Sequence, residues 1–234
     1  MTLLRSSAFA LALAVITPPY AILALCTCVL PRLVRYRIIA GWSRLVIHLA
    51  RSILGIGWRI EGAEHLPSRP AVILAKHQSA WETMAFQLIF PPQVHVLKRE
   101  LLWIPFVGWG IRQLHAIAIN RKTGGSAVSQ VVEQGKQRLA EGDWVMIFPE
   151  GTRMPPGQTR KYGVSGTLLA REAGHLVVPV AHNAGHYWPR RGLLKKSGTI
   201  RVVIGPPIDP AGADPRAVNE RAQQWIESKI AALS

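Results

Sequence analysis

Residues Ala8 to Leu30 form a run of 23 positions without one charged side chain. A helix of that length reaches across a hydrocarbon core of roughly 30 Å, so this stretch must meet lipid or another apolar surface. Pro18-Pro19 stands in its middle. Two consecutive residues lacking N–H groups predict an interruption, and two forms stay open: a kinked spanning helix, or a helix–break–helix hairpin dipping into one leaflet. A cleaved signal peptide, favoured by Arg5 and the apolar run, ranks below both, because no small-x-small cleavage site follows. Arg32, Arg35, Arg37 and Arg44 crowd the far end, which assigns that end to the cytoplasmic side.

Residues 34–53 then predict an amphipathic helix. Val34, Ile38, Trp42, Leu45, Leu49 and Ile53 recur on one face, and Arg37, Arg44, His48 and Arg51 on another. Residues 1–60 hold seven Arg and no acid, and the whole chain carries a formal charge of +15. Cations beside a long apolar run predict an anionic lipid surface as partner. Nucleic acid is disfavoured, because the basic residues lack an aromatic-interleaved motif. The only cysteines, Cys26 and Cys28, sit inside the apolar run, which excludes a disulfide framework or a cysteine-based zinc site.

From about Trp58 the pattern changes. Ala71–Ala75, Trp144–Phe148, Val177–Ala181 and Thr199–Ile204 are nearly continuous apolar runs, as in strands buried on both faces. Residues 57–61, 94–98 and 116–119 also read as strands. Residues 126–140, 163–173 and 215–232 read as helices, the first ended by Glu141-Gly142-Asp143. Strands alternating with helices predict an α/β domain with a mostly parallel central sheet flanked by helices. The chain divides into an N-terminal membrane-associated helical segment, residues 1–56, and an α/β domain, residues 57–234. With 49% hydrophobic and 18% charged residues, it can bury a sizeable core.

Two polar clusters directly follow strands. Ala71–Ala75 runs into Lys76-His77-Gln78-Ser79-Ala80-Trp81-Glu82, and Trp144–Phe148 runs into Pro149-Glu150-Gly151-Thr152-Arg153. If both strands are parallel, the clusters share the carboxyl edge of the sheet, where open α/β folds place their sites. His77 and Glu82 cannot face each other on one helix; they meet only if His77 lies in the turn and Glu82 in the first helical turn. The carboxylate would then hold the imidazole tautomer and stabilise its cation. No hydroxyl or thiol sits in an evident nucleophile elbow, so His77 reads as a base for a substrate hydroxyl. His95, His115, His175, His182 and His186 lack a partner acid at a telling spacing and read as structural.

His77 to Glu82 resembles the H-x-x-x-x-D motif of the glycerolipid acyltransferases, the lysophosphatidate acyltransferase family. Lys98-Arg99-Glu100-Leu101 with Pro105 and Gly108 resembles the family's second block, followed by Ile119-Asn120-Arg121. Phe148 to Arg153 is similar to the third block and Val178-Pro179-Val180 to the fourth. The blocks occur in family order between residues 76 and 180. Departures are Glu82 for the usual Asp, Lys76 for the common Asn, and Asn120 where Asp is frequent; the last two are read as touching the acceptor pocket.

The resemblance implies transfer of a fatty acyl group from a thioester to the free hydroxyl of a lysophospholipid acceptor, giving phosphatidic acid. It implies acyl-coenzyme A or acidic acyl carrier protein as donor, and neither bound cofactor nor metal. His77 and Glu82 would be catalytic. Lys98, Arg121 and Arg153 would bind phosphate, with Gly151, Thr152 and Lys161 nearby and Glu150 orienting Arg153 or touching the glycerol. The implied location is the inner membrane of a bacterial-type cell, catalytic domain on the cytoplasmic face. Competing readings are acylation of another lysolipid, such as lyso-ornithine lipid, and a non-enzymatic cationic lipid-binding protein.

Overall fold

The computed structural model of the chain describes residues 2–120 and 125–233. Two helices come first, α1 (Thr2–Cys26) and α2 (Arg32–Leu49), the second extended by a π-turn to Leu54. The remainder alternates as expected: β1 (Ile56–Glu61), β2 (Val72–Ala75), α3 (Trp81–Ile89), β3 (Gln93–Lys98), α4 (Val107–Gln113), β4 (Ile117–Ile119), α5 (Gly125–Ala140), β5 (Trp144–Ile147), α6 (Ser165–Ala173), β6 (Val177–His182), α7 (Ala184–Tyr187), β7 (Gly198–Ile204) and α8 (Pro215–Leu233).

The seven strands form one sheet in the order β1-β7-β6-β2-β5-β3-β4. Every neighbouring pair is parallel except β6–β7. β2 and β5 lie side by side at the centre with all residues buried, which explains their unbroken apolar sequences. Alternate side chains serve different layers. Ile73, Ala75, Met146 and Phe148 pack with the layer that includes Phe9 of α1, Val46 and Ile47 of α2, and Trp81 and Phe86 of α3. Val72, Leu74, Val145 and Ile147 pack with α5, α6 and α8 on the opposite face.

Of the two expected forms, the helix–break–helix hairpin is absent: α1 runs through both prolines. Each proline removes a helical hydrogen bond, and contacts with α2 hold the helix across the gap. The Tyr20 hydroxyl donates to Ile38 O at 2.5 Å, and Trp42 Nε1–H approaches Thr17 Oγ1 at 3.4 Å. Gly41 permits this approach, since a Cβ there would strike the Tyr20 hydroxyl. Ser6, Phe9, Ala21 and Ala24 of α1 are buried against protein, whereas Leu4, Leu11, Val15 and Ile22 form an exposed apolar stripe. Helix α2 buries a different face from the apolar one expected to meet lipid. Ile39, Ser43, Val46, Ile47 and Ala50 face the domain, leaving Val34 and Leu45 exposed beside Arg37, Arg44 and Arg51.

Candidate active site

His77 leaves the end of β2, and α3 begins four residues later. The helix has no side-chain cap at Ala80; the Ser79 hydroxyl instead accepts from Trp81 N–H at 3.1 Å. This turn swings Glu82 back under His77. Glu82 Oε1 lies 2.9 Å from His77 Nδ1 and accepts the N–H groups of Gln78 and Ser79 at 2.9 and 2.7 Å. The extra methylene relative to Asp therefore fits without loss of contact. Glu82 is fully buried, whereas the His77 side chain retains 14% exposure. Burial opposes the Glu82 charge, but the imidazoles of His182 and His77 and the Ser79 N–H outweigh it and hold the carboxyl below its usual pKa. An ionised carboxylate only accepts, so His77 carries its proton on Nδ1 and presents Nε2 as a free base.

The loop after β5 supports this pair from the other side. The Phe148 ring stacks on His77 with centroids 4.1 Å apart. Glu150 Oε2 accepts His77 N–H at 3.1 Å, and His77 O accepts Met154 N–H at 2.7 Å. Gly151 adopts φ 69°, a conformation that favours glycine. Glu150 differs from its expected role. Its Oε1 accepts from buried Lys76 Nζ at 2.8 Å, and it does not line the cavity beside Arg153. Lys76 likewise lies away from the acceptor pocket: its Nζ also donates to Glu227 Oε1 of α8 at 2.8 Å and to Gln158 O at 3.0 Å. Tyr162 Oη donates to the same Glu227 oxygen at 2.8 Å. Burial, then the charges of Glu150 and Glu227, push the Tyr162 pKa far up and keep the phenol protonated. Lys76 and Tyr162 thus tie α8 beneath the His77 turn.

His77 opens on a cavity of about 580 Å³ between the sheet, α1–α4 and the loop after β5. Lys98, Gly151, Thr152 and Arg153 lie on its wall with His77, while Ala21, Ile39, Met84, Ile104 and Ile111 supply apolar lining. Of the other expected ligand residues, Lys161 is exposed and absent from this wall, because Tyr162 beside it turns inward. Arg121 lies outside the described residues.

The cavity wall also includes Arg190, Gln93 and His95, none of which the sequence assigned to a ligand. Gln93 and His95 occupy alternate positions on β3, so both point into the same layer. Gln93 is 2% exposed with both amide atoms unpaired among the described residues, as is His95 Nε2. Burial, reinforced by His77, lowers the His95 pKa to about 4, so this imidazole is neutral. His95 therefore differs from His182 and His175, which are satisfied by backbone. His182 Nε2–H donates to Lys76 O at 2.8 Å while its Nδ1 accepts Ala184 N–H at 3.2 Å, and His175 Nδ1–H donates to Pro70 O at 2.7 Å.

Comparison with known proteins places this geometry in context. A sequence model described as acyltransferase matches residues 57–183. The 1-acyl-sn-glycerol-3-phosphate acyltransferase of Pseudomonas aeruginosa is 47% identical over 210 residues, spanning 88% of this chain and 82% of that protein. The human alpha form of that enzyme is 30% identical over 190 residues, spanning 80% of this chain and 67% of that protein. The crystal structure of the 1-acyl-sn-glycerophosphate acyltransferase PlsC from Thermotoga maritima superposes with a TM-score of 0.81. It covers 99% of this chain and 95% of that one at 23% identity, a likeness that speaks to the fold.

Proposed function

This chain belongs to the acyltransferase family, and from that premise we propose its reaction: transfer of a fatty acyl group from a thioester to the free sn-2 hydroxyl of lysophosphatidic acid, giving phosphatidic acid. The observation that carries the reading is the His77–Glu82 pair, 2.9 Å apart, at a cavity whose wall holds both cations and apolar residues.

His77 Nε2 removes the hydroxyl proton as the acceptor oxygen bonds to the thioester carbonyl carbon. Glu82 stabilises the resulting imidazolium through Nδ1–H. The tetrahedral oxyanion collapses, the C–S bond breaks, and the departing thiolate takes the proton from His77. Ester and thiol are the products, and His77 is again neutral. Arg153 and Lys98 bind the acceptor phosphate, Arg153 as a fork and Lys98 as a point charge. Gly151 and Thr152 shape the wall between them. Arg121 is a third phosphate ligand on its motif position alone. Acyl-coenzyme A and acyl carrier protein, both anionic, are the candidate donors.

The apolar stripe of α1 associates the chain with membrane. Its other face is buried near both ends, which supports a helix lying in one leaflet. The clustered arginines of α2 support a cytoplasmic-side domain at the inner membrane of a bacterial-type cell.

The test is a matrix assay of the purified full chain in detergent. Each donor is offered with lysophosphatidic acid and with a lysolipid that lacks phosphate. His77→Ala should lower turnover by about two to four orders of magnitude. Arg153→Ala should raise KM for lysophosphatidic acid about ten- to a hundredfold, through loss of a charged hydrogen bond of about 1.5–3 kcal/mol, and spare the KM of the donor. Preference for the acceptor without phosphate, or normal turnover by His77→Ala, would overturn the reading.

A further inference from the structure

The connection from α7 to β7 contains Trp188-Pro189-Arg190-Arg191-Gly192-Leu193-Leu194-Lys195-Lys196-Ser197, and no acid occurs anywhere from 173 to 208. Arg190, Arg191 and Lys196 are exposed, and Leu193 and Leu194 are 42% and 52% exposed. Neither leucine belongs to the packed layers of the domain. A loop tip with two adjacent leucines between pairs of cations is poorly matched to water and well matched to a lipid interface.

The loop is tied to the N-terminal end of α1. Lys195 N–H donates to buried Ser6 Oγ at 3.0 Å. Phe9 packs edge-on against Trp188 at 5.2 Å, and the Lys195 ammonium stands 5.9 and 5.2 Å from the centres of those two rings. Lys196 N–H closes the loop on Tyr187 O at 2.8 Å. Within one turn of Ser6, Leu4 is 76% exposed and Arg5 is exposed. The loop thereby continues the lipid-facing stripe of α1 and adds the cations that the helix itself lacks between Arg5 and Arg32.

We propose that residues 188–197 form a second membrane anchor seated in the headgroup layer of an anionic bilayer. Leu193 and Leu194 enter the acyl boundary, and Arg190, Arg191 and Lys196 engage lipid phosphates. Arg190 also lines the catalytic cavity, so this anchor holds the cavity mouth at headgroup depth, where a lysolipid reaches it without leaving the interface. An acidic carrier protein would match the cations but not the leucines or their continuity with α1. The proposal rests on the membrane placement of α1 given above, and the experiment separates the two.

The full chain carrying Cys26→Ser and Cys28→Ser receives one cysteine at a time: Leu194→Cys on the loop, Val15→Cys on the α1 stripe, or Lys136→Cys on the opposite face of the domain. Each is labelled with an environment-sensitive fluorophore and placed in nanodiscs of phosphatidylcholine with about 30% phosphatidylglycerol, a content chosen to give an anionic surface. The label at 194 should be blue-shifted and quenched by brominated lipid, as at 15, whereas the label at 136 should be quenched by aqueous iodide. Arg191→Glu with Lys196→Glu should reduce lipid quenching at 194 to the level found in pure phosphatidylcholine, with the melting temperature unchanged. Lipid quenching at 15 but not at 194 overturns the loop anchor alone; quenching at neither overturns the membrane placement of α1. A label at 194 that stays aqueous in nanodiscs and is shielded only by acyl carrier protein replaces the bilayer with that protein as partner.

Discussion

At the scale of single residues, the candidate dyad is held by backbone as much as by its partner. Glu82 Oε1 accepts two backbone N–H groups besides His77 Nδ1–H, so the carboxylate is positioned before any substrate arrives. Glu82→Gln keeps the shape and can leave its carbonyl oxygen on those N–H groups, but it removes the charge that stabilises the His77 cation. Turnover should fall by about two orders of magnitude or more. Glu82→Asp keeps the charge but shortens the reach, and should cost less than Gln. Turnover at saturating substrates, with melting as the folding control, checks the ranking; equal rates for wild type and Gln would remove the electrostatic role. This pair was legible in sequence because its members lie five positions apart and one turn decides their meeting. The partnership of Lys76 with Glu227 spans 151 positions, and no local pattern announces it. The setting of His95 was illegible for a related reason: it lies against the Phe148 ring and the cavity, not against its neighbours in the chain. Its pKa falls from 6.5 to about 4 through burial. Between those values the unfolded chain binds the proton and the folded one does not, so this contribution is complete above about pH 6.5 and is lost as pH falls toward 4. His95→Phe should flatten that part of the melting-temperature profile between pH 7 and 4, and an unchanged slope would show that His95 does not contribute.

At the scale of elements, β2, β5 and β6 were legible because burial on both faces writes itself as unbroken apolar runs. α4 and α7 were not, since helices of seven and four residues hold too few turns for periodicity to show. Helix α1 continues through its prolines for a physical reason: local propensity favours a break, while tertiary contacts of Tyr20 and Trp42 with their partners across the helix pair outweigh it. A comparable long-range contact couples α8 to the catalytic turn. Lys76 is buried between Glu150 and Glu227; removing it leaves carboxylates without their cation. Lys76→Met should therefore destabilise the chain by about 3–5 kcal/mol, seen as a lower unfolding midpoint in detergent. Adding Glu150→Gln should recover part of that loss, because the orphaned charge is removed while the amide can still accept His77 N–H. A double variant no more stable than the single one would mean that packing around Lys76, rather than its charge, supports the turn.

At the scale of the whole molecule, the decisive relation is between α1 and the sheet it crosses. The helix has 25 residues and a length of about 37 Å, enough to traverse a bilayer. Yet its first turns hold Trp188 and Lys195 in the β6–β7 connection, and Ala21 and Ala24 share the cavity wall with α4 in the β3–β4 connection. Those connections belong to opposite sides of the strand order, so α1 lies along the domain from one side to the other. A helix docked at both ends on one globular body cannot cross the membrane unless it leaves that body. The amino terminus and the catalytic domain should accordingly occupy the same side. With Cys26→Ser and Cys28→Ser as background, Thr2→Cys and Lys136→Cys are introduced separately, and each protein is inserted into sealed vesicles with its catalytic domain outward. A membrane-impermeant maleimide should label both positions at once, before detergent. Labelling of Lys136→Cys alone, with Thr2→Cys reacting only after the vesicles are opened, would mean that α1 detaches from Trp188 and spans the bilayer, and the packed arrangement of α1 would not be the one adopted in lipid.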